Sequence, residues 1–422
     1  METEILIVGA GPAGAAAAVQ LGQLGIRDVL LVDRDRFPRN KICGSGLSPA
    51  ALHVAEALGI GPEVRRRANP VRTVRFVTPS GEVLRVPANS AAVILLRKEF
   101  DHLLVQRARA LEIRLRDGWR AMEAIEESGR VVGVRGLEGE EIRARWTLFA
   151  DGAHSLFSTD GRERRHIATL MGWWEGPDFE QGRLDMVFDP ELSPLYGWLF
   201  PETATRVNIG ICVDAQDEYG RKVSRDLRAT FRRFLDRHFA QELRTARQIG
   251  ALKGHPIVHT TWIASVSRPG ALLLGEAARL THHGTGEGIS QAMQSGVYAA
   301  EAVARVVRGE LSEAAARRGY LRTLRRRFTP EFAAGHVLRN LVSSGMLDRL
   351  ARTYNSEFFQ HAIHWIVGAA LTGSTRQEAP AAYGEPTHEG VESPEDESRV
   401  ASGAVVPGGG RGPAGRAAGT GR

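Results

Sequence analysis

The chain has 422 residues, 43% hydrophobic and 25% charged, a balance that favours a soluble globular protein of one large or two to three interleaved domains. Its two cysteines, Cys43 and Cys212, exclude a disulfide framework and repeated metal-ligand spacing, so we expect no metal and a reducing cytoplasm. The net charge of +6 favours anionic partners such as phosphates or membrane surfaces. No nucleic-acid-binding motif accompanies that charge, so no nucleic-acid partner is expected.

The start of the chain, METEILIVGAG, has no basic segment followed by a cleavable apolar run, which excludes a signal peptide. The best apolar run, WIVGAAL at 365–371, is much shorter than the ~20 residues of a membrane span. We therefore expect a cytoplasmic protein with at most a peripheral contact at the inner face of the membrane.

Residues 5–33 predict a strand, a helix and a second strand in succession, the arrangement of a dinucleotide-binding fold. The first turn carries G-x-G-x-x-G: Gly9 allows the tight turn, Gly11 lets the backbone approach a pyrophosphate, and Gly14 lets the helix pack on the strand. The helix N-terminus offers free N–H groups and a positive dipole to phosphates. Asp33 ends the second strand and can accept hydrogen bonds from ribose hydroxyls.

A second match to this spacing, GRGPAG at 410–415, has no strand before it and no helix after it, and predicts no site. It lies in 373–422, a stretch without Leu, Ile, Phe or Trp that is rich in Gly, Pro, Ala, Glu and Arg. That composition predicts a disordered tail.

Three further segments predict additional strands and helices of the same dinucleotide-binding domain. Residues 95–111 predict a strand end and a helix, 143–155 a strand followed by Asp151, and 271–303 a strand, a Gly-rich turn and a long helix. Polar residues at the carboxyl ends of such strands bind ligands in open α/β sheets, which singles out Asp151.

Two stretches interrupt these returns with strands, 70–93 and 183–213, so a second sheet is inserted. We predict an α/β protein with a Rossmann-like dinucleotide-binding domain, an inserted mixed or antiparallel β-sheet substrate domain and a C-terminal helical region. The expected boundaries are 1–69, 95–165 and 265–303 for the first domain, 70–94 and 166–264 for the inserted sheet, 304–372 for the helices and 373–422 for the tail. The helices share an apolar stripe of Leu347, Leu350, Tyr354 and Phe358.

The stretch PLYGWLFP at 194–201 concentrates three large aromatic residues. In a strand, Tyr196, Trp198 and Phe200 would stand on one face, Gly197 and Leu199 would face the other way, and Pro201 would end the strand. Such a row of rings builds either a hydrophobic core or the wall of a ligand chamber.

Taken together, these residues resemble the flavoprotein superfamily of the p-hydroxybenzoate hydroxylase type and, within it, the geranylgeranyl reductase family. The resemblance covers roughly 1–330. Tyr196, Trp198, Phe200 and Pro201 are similar to the family's Y-x-W-x-F-P motif, KICGSGLSP at 41–49 to its K-x-C-G-x-G-L loop, and TGEGI at 285–289 to its flavin-facing turn.

The resemblance implies an FAD cofactor extended across the larger domain. Its implied contacts are Gly9, Gly11, Ala13, Gly14 and Asp33 for the pyrophosphate and adenosine ribose, Arg97, Ala121, Asp151 and Glu276 along the cofactor, and Cys43, Gly44, Gly46, Gly286, Gly288 and Ile289 beside the isoalloxazine. The implied catalytic residues are Cys43, Tyr196, Trp198 and Phe200. The inserted sheet would roof the flavin, and the aromatic row would enclose a water-poor chamber for a hydrophobic prenyl chain.

The chain departs from the family in three places. Glu276 replaces an aspartate and is one methylene longer, His282-His283 replaces the usual Asn/Asp-Pro, and no arginine follows the DGAHS turn. A plain loop role is favoured for the two histidines. The missing arginine disfavours a dedicated NAD(P)H-dependent hydroxylase.

Cys43 and Cys212 receive different expectations. Cys43 lies in a Gly/Ser loop, so either a packing role or a role as flavin contact, redox-partner contact or proton donor is open. Cys212 lies in the strand NIGICVD and is expected to be structural.

The function favoured is FAD-dependent reduction of isolated C=C bonds in a prenyl chain of a lipid, quinone or pigment precursor. One alternative is a flavin-dependent halogenase or hydroxylase; halogenases carry W-x-W-x-I-P and a buried lysine, and none of the four lysines here stands at an obvious strand end. Another is a flavin-free prenyl-lipid carrier. With a single dinucleotide fingerprint in β-α-β context, NAD(P)H and a ferredoxin-like protein both stay open as electron donors.

Overall fold

The computed structural model describes residues 1–88, 91–155, 165–217, 220–263 and 266–353. The predictions for the tail at 373–422, and for Tyr354 and Phe358 in the apolar stripe, lie outside the described residues. Among the described residues, no helix combines the length and the apolar composition needed to cross a bilayer.

The strands occur in runs that the helices separate. In chain order the strands are β1 (Glu2–Val8), β2 (Val29–Asp33), β3 (Gly46–Leu47), β4 (Asn69–Pro70), β5 (Thr73–Val77), β6 (Val83–Pro87), β7 (Val93–Ile94), β8 (Arg114–Asp117), β9 (Ala121–Glu127), β10 (Arg130–Gly136), β11 (Glu141–Phe149), β12 (Arg165–Glu175), β13 (Arg183–Val187), β14 (Gly197–Pro201), β15 (Arg206–Asp214), β16 (Arg247–Lys253), β17 (Ile257–His259), β18 (Ser267–Arg268) and β19 (Ala271–Leu273).

The helices are α1 (Pro12–Gln23), α2 (Pro49–Ala57), α3 (Gly61–Arg67), α4 (Arg97–Ala110), α5 (Leu227–His238), α6 (Ala240–Leu243), α7 (Ile289–Val307), α8 (Glu313–Ser343) and α9 (Met346–Thr353). Their starts follow ordinary helix signals. Proline at the first position opens α1 and α2, and the hydroxyl of Ser312 accepts the N–H of Ala315 to cap α8.

The first sheet has the order β18-β19-β11-β1-β2-β8, with β10 and β9 beside β11. Its central pairs β11/β1, β1/β2, β2/β8 and β11/β19 are parallel, and β1 and β2 are almost entirely buried, as expected for strands covered on both faces. Because the strands are parallel, the residues after β1, β2, β11 and β19 meet at one edge.

The second sheet has the order β16-β12-β15-β14-β13-β5-β6, and β17 pairs with β12. It is antiparallel except for β13 and β5, which run parallel. Its strands come from 73–87 and 165–259, between the segments that build the first sheet. The mixed α/β fold class predicted from the sequence is confirmed, while the division into domains stays a prediction.

Side chains of the second sheet pack on both of its faces. One face packs with Phe231 and Phe234 of α5, and the other packs with Leu338 and Val342 of α8. The latter face meets the carboxyl edge of the first sheet, and the space between them holds the site described next.

Candidate functional site

A cavity of about 490 Å³ lies between the carboxyl edge of the first sheet and the second sheet. It is lined by almost all of the residues that the sequence singled out: Gly9, Gly11, Ala13, Asp33, Cys43, Gly44, Gly46, Arg97, Ala121, Asp151, Tyr196, Trp198, Phe200, Glu276, Gly286, Gly288 and Ile289. Gly14 is the exception, because it packs against the first turn at Gly9.

The three glycines of the first turn differ in their surroundings. Gly9 has a φ of +99°, and a Cβ there would lie 2.4 Å from the carbonyl oxygen of Ala150. A Cβ on Gly14 would lie 1.9 Å from the carbonyl oxygen of Gly9, so the close contact between helix and turn requires glycine. A Cβ on Gly11 would meet nothing nearer than Arg39 at 3.6 Å, which leaves the backbone open toward the cavity.

Asp33 lines the cavity close to the first turn. Its Oδ2 accepts the N–H of Ala10 at 2.7 Å, and its Oδ1 accepts the N–H of Asp35 at 2.9 Å. Burial raises the pKa of Asp33, although the Arg39 guanidinium opposes this shift. A carboxylate has about four acceptor positions, so Asp33 retains capacity for a ligand hydroxyl.

Arg97 is the first residue of α4 and forms a bidentate ion pair with Asp101, at 2.7 and 2.8 Å. Asp101 is fully buried and also forms an ion pair with Arg39, with Nη1 at 3.0 Å from Oδ2. Burial disfavours the charged guanidinium, but Asp101 and the neighbouring Cys43 side chain raise the pKa of Arg97. Arg97 is therefore a fixed cation in the cavity wall next to the Cys43 sulfur.

The Gly-rich turn leads into α7 at the cavity. The N–H of Gly286 donates to the carbonyl of His282 at 2.8 Å. Although the resemblance implies that Gly286 lies beside the isoalloxazine, its N–H is therefore not available to a ligand. Within the described residues, the N–H groups of Gly288 and Ile289 have no partner, and they lie at the positive end of the helix dipole. The N-termini of α1 and α7 thus face one cavity.

Glu276 lies in the 3-10 turn that follows β19 and accepts the N–H of Val258 at 3.0 Å. Burial raises the pKa of Glu276, while the bond from Val258 and the charge of Lys41 act against the shift. The longer glutamate thus reaches β17 and lines the cavity with its neighbour Asp151.

Lys41 and His255 form a pair that the sequence did not point to. Lys41 Nζ lies 2.7 Å from His255 Nε2, and His255 Nδ1 lies 2.6 Å from the carbonyl oxygen of Pro256. Burial lowers the pKa of Lys41, and burial together with Lys41 lowers the pKa of His255 to about 4. Lys41 lines the cavity from a loop, where no strand pattern marks it, so the cavity contains a lysine although none was recognisable at a strand end in the sequence.

The aromatic row stands on one face of β14 as predicted. The ring centroids are 6.4 Å apart for Tyr196 and Trp198 and 6.0 Å apart for Trp198 and Phe200. On the opposite face, Leu199 belongs to the separate core beneath α5, and a Cβ on Gly197 would lie 2.1 Å from the Phe234 ring. The row is buried in a core cluster and also lines the cavity, so the two alternatives coincide.

Polar contacts and the Cys43 loop hold these rings. Trp198 Nε1 donates to Oδ1 of Asn208 at 2.8 Å, and Asn208 donates to the carbonyl of Gly172. The Phe200 ring fits against the loop, where a Cβ on Gly44 would lie 2.9 Å and one on Gly46 3.3 Å from it. Glycine at these two positions lets the loop lie directly on the aromatic wall.

The two cysteines both line the cavity. Cys43 is half-buried, and its Sγ accepts the N–H of Ser45 at 3.3 Å. Cys212 is buried, donates to the carbonyl of Tyr196 at 3.0 Å, and burial raises the pKa of its thiol to about 12. Cys212 is thus fixed as a thiol in the sheet, whereas Cys43 lies in the loop beside Arg97.

His282 and His283 lie in the loop before α7. His282 Nδ1 contacts the N–H and hydroxyl of Thr285, and its Nε2 lies 2.9 Å from the carbonyl oxygen of Glu331. His283 is buried between the rings of His259 and His336, at 5.9 and 4.4 Å. Among the described residues, no cluster of three His, Cys, Asp or Glu is placed to hold a metal.

Comparison with known proteins agrees with this geometry. Residues 2–318 match the family model described as an FAD binding domain. The chain belongs to this family and is an FAD-dependent oxidoreductase. The open backbone at Gly11 before α1 and, among the described residues, the unpartnered N–H groups of Gly288 and Ile289 before α7 fit the pyrophosphate-containing FAD cofactor.

Curated relatives make the family assignment more specific. The chain is 30% identical over 320 residues to the menaquinone reductase of Mycobacterium tuberculosis, covering 71% of this chain and 76% of that one. It is 29% identical over 331 residues to the digeranylgeranylglycerophospholipid reductase of Thermoplasma volcanium, covering 71% and 78%. The geranylgeranyl reductase family identified from the motifs is thereby confirmed, and the chain belongs to it.

Two solved structures share the fold. A geranylgeranyl bacteriochlorophyll reductase-like protein from Thermoplasma acidophilum aligns with a TM-score of 0.71 at 23% identity, covering 86% of this chain and 96% of that one. The flavin-dependent brominase Bmp2 also aligns at 0.71, with 18% identity and coverage of 91% and 97%. The fold by itself therefore does not separate a reductase from a halogenase.

Proposed function

We propose that this protein reduces isolated C=C bonds in the prenyl chain of a lipid, quinone or pigment precursor. One observation carries the proposal: the aromatic row of β14, apolar residues of the second sheet such as Met186 and Leu184, and the FAD-facing turns all line one cavity. An elongated apolar substrate could therefore lie against the rings while one of its double bonds reaches the cofactor.

FAD, when bound and reduced, supplies the hydride for such a reduction. The other half of the reaction is a proton, and positive charge that develops on carbon is stabilised by nearby aromatic faces, by ~0.5–2 kcal/mol each. Trp198, which is buried, and Phe200, which is partly buried, provide these faces, and together they shield the charged carbon from water.

We assign the proton to the Cys43 thiol. Its proton goes to one carbon of the double bond, the hydride goes to the other, and the thiolate left behind is stabilised by the Arg97 guanidinium. Tyr196 is a poor donor, because its hydroxyl is already bonded to the carbonyl of Thr285 and burial raises the pKa of the phenol well above its usual value. The cofactor contacts of the residues named above belong to the same proposal.

The electron donor in this proposal is NAD(P)H or a ferredoxin-like protein, and the protein acts in the cytoplasm with a peripheral contact at the membrane. The test is anaerobic incubation with geranylgeranyl-bearing substrates. The flavin of the enzyme is first reduced chemically and, in separate experiments, by each of the two donors. Products heavier by two mass units per reduced bond are expected. Reduced flavin that no prenyl substrate reoxidises, with no product formed, would contradict the proposal.

A flavin-dependent halogenase is the second candidate, favoured by the half-buried Lys41 in the cavity and by the fold of Bmp2. Against it stands Y-x-W-x-F-P at 196–201 in place of W-x-W-x-I-P. Incubation with reduced flavin, oxygen and bromide decides between them, because a halogenase yields a brominated product and a reductase does not. A flavin-free carrier does not agree with membership of the FAD-binding family.

A further inference from the structure

The outward face of α8 carries three exposed arginines. Arg318, Arg322 and Arg326 repeat every four residues, so they lie on one side of the helix, and all three are exposed. Within the described residues, the side chains of these three arginines form no ion pair or hydrogen bond.

Other arginines of the same helix are paired. Arg317 lies 3.9 Å from Glu313, and Arg327 lies 2.7 Å from Glu331. Arg339 pairs with Asp214 of the second sheet. Two of these pairs lie within α8, and the third links α8 to the second sheet. Within the described residues, Arg318, Arg322 and Arg326 make no such contact.

Acidic residues are missing from the outward face. Between residues 314 and 347 the sequence contains one acidic residue, Glu331, and its side chain is buried. At ~1.5 Å per residue, the exposed face from Arg318 to Val337 is about 28 Å long. Its positive charge is therefore not balanced by carboxylates of the same helix.

Apolar side chains accompany this charge. Val337 is 58% and Met346 45% exposed. Trp262 is 54% exposed, and the Arg325 guanidinium lies 5.2 Å from the centre of its ring. Cationic residues beside exposed apolar residues and a tryptophan are typical of helices that lie on a lipid surface.

Helices α8 and α9 cover the aromatic cluster. Leu338 and Val342 of α8 and Leu347 of α9 pack on the cluster that contains Tyr196 and Trp198. A surface bound to the outward side of α8 would therefore lie one helix away from the chamber wall.

We propose that the outward face of α8, together with Trp262 and Met346, docks on an anionic lipid surface from which the prenyl substrate enters the cavity. The proposal rests on the function proposed above. Arg318, Arg322 and Arg326 contact lipid phosphates, while Val337, Met346 and Trp262 enter the boundary of the acyl chains. An acidic protein would use the arginines but would leave the apolar residues exposed to water.

Flotation of the full-length protein with vesicles tests this. Vesicles of phosphatidylcholine containing 30% phosphatidylglycerol should bind the wild type, and R318E/R322E/R326E should weaken binding at least ~100-fold, since each surface cation contributes about fivefold. The matched control is R228E/R232E/R244E, which changes charge equally at exposed arginines on and near α5. The control should lose less than tenfold, and Val337→Ser should weaken binding severalfold at unchanged charge.

Equal binding by wild type and R318E/R322E/R326E overturns the proposal, as does failure of the wild type to bind. Loss of binding to the same degree in the control variant would show a nonspecific charge effect and also overturns it. Turnover of a detergent-dispersed prenyl substrate separates the two proposals, because it depends on the cavity alone. The α8 variant should retain that turnover, and its absence in the wild type would count against the proposed function without affecting vesicle binding.

Discussion

The hydroxyl of Tyr196 donates a hydrogen bond to the backbone carbonyl of Thr285. This bond joins the aromatic wall of the second sheet to the turn that precedes α7, so the chamber and the cofactor-facing turn are fixed relative to each other. Both residues line the cavity.

Tyr196→Phe removes the bond and keeps the ring. A buried carbonyl left without its donor costs ~1–3 kcal/mol, so we expect a lower melting temperature. FAD should stay bound and turnover should fall by less than about tenfold, because the phenol is not the proposed proton donor. Complete loss of turnover in a folded, yellow variant would show that the proton comes from Tyr196 after all.

Gly11→Val tests the cofactor site. Gly11 has a φ of −71° and open space on its cavity side, so the fold tolerates the branched side chain while the pyrophosphate does not. The variant should be folded and colourless. Gly14→Ala is the comparison, because its Cβ collides with the Gly9 carbonyl and should lower the melting temperature instead. Stoichiometric FAD in purified Gly11→Val, measured by absorbance, would refute the site.

Trp198 and Leu199 are neighbours in β14, and their side chains point to opposite faces of the strand. We therefore compare Trp198→Ala with Leu199→Ala. Trp198→Ala should keep FAD and reduce turnover at least ~tenfold. Some stability should be lost as well, because Oδ1 of Asn208 loses the hydrogen bond from the indole N–H. Leu199→Ala creates a void in the core beneath α5 and should cost ~2–5 kcal/mol without changing the activity of the folded fraction. Normal specific activity of folded Trp198→Ala would remove the chamber from the mechanism.

Cys43→Ala and Cys212→Ala compare the two cavity cysteines. With the proton donor removed, Cys43→Ala should bind FAD and lose at least ~100-fold in turnover, within the usual contribution of general acids. Cys212→Ala should stay within severalfold of the wild type, since its thiol is bonded to the sheet backbone. The measurement is anaerobic turnover with flavin content determined in parallel, and similar rates for both variants would exclude Cys43 as the donor.

The buried histidines predict acid sensitivity. Burial lowers the pKa of His283 to about 2 and that of His259 to about 3, and Arg339, Arg165, His282 and His336 face them with like charge. The unfolded chain binds these protons near pH ~6.5, so stability is full above that pH and is lost as pH falls toward 3. Each histidine contributes a slope of ~1.4 kcal/mol per pH unit in this window.

His283→Phe should flatten that slope relative to the wild type, while the exposed His53→Gln should leave it unchanged. Urea unfolding between pH 4 and 7 measures both. An identical pH dependence in His283→Phe and the wild type would show that His283 is not a source of acid lability.

Much of the site follows from the sequence because it depends on local patterns. The first turn, Asp33 and the alternation of Tyr196, Trp198 and Phe200 are set by chain geometry within a few residues. Lys41 and His255 escaped such reasoning, since 214 residues separate the two members of this contact. The bond from Gly286 to the His282 carbonyl likewise depends on how the loop closes, which the motif TGEGI does not specify.

Strand order also determines when the cofactor site can exist. β1 lies between β2 and β11, and β11 needs β19, so the sheet that carries the first turn is incomplete until residue 273 has been made. At ~5–20 residues per second, a ribosome takes roughly 15–50 s to reach that point. Once β11 has been made, β1 has both of its neighbours, but the edge of β11 that pairs with β19 stays without its neighbour until residue 273, and such unpaired strand edges are prone to aggregation. FAD insertion is consequently a late event of biosynthesis, after most of the polypeptide has left the ribosome.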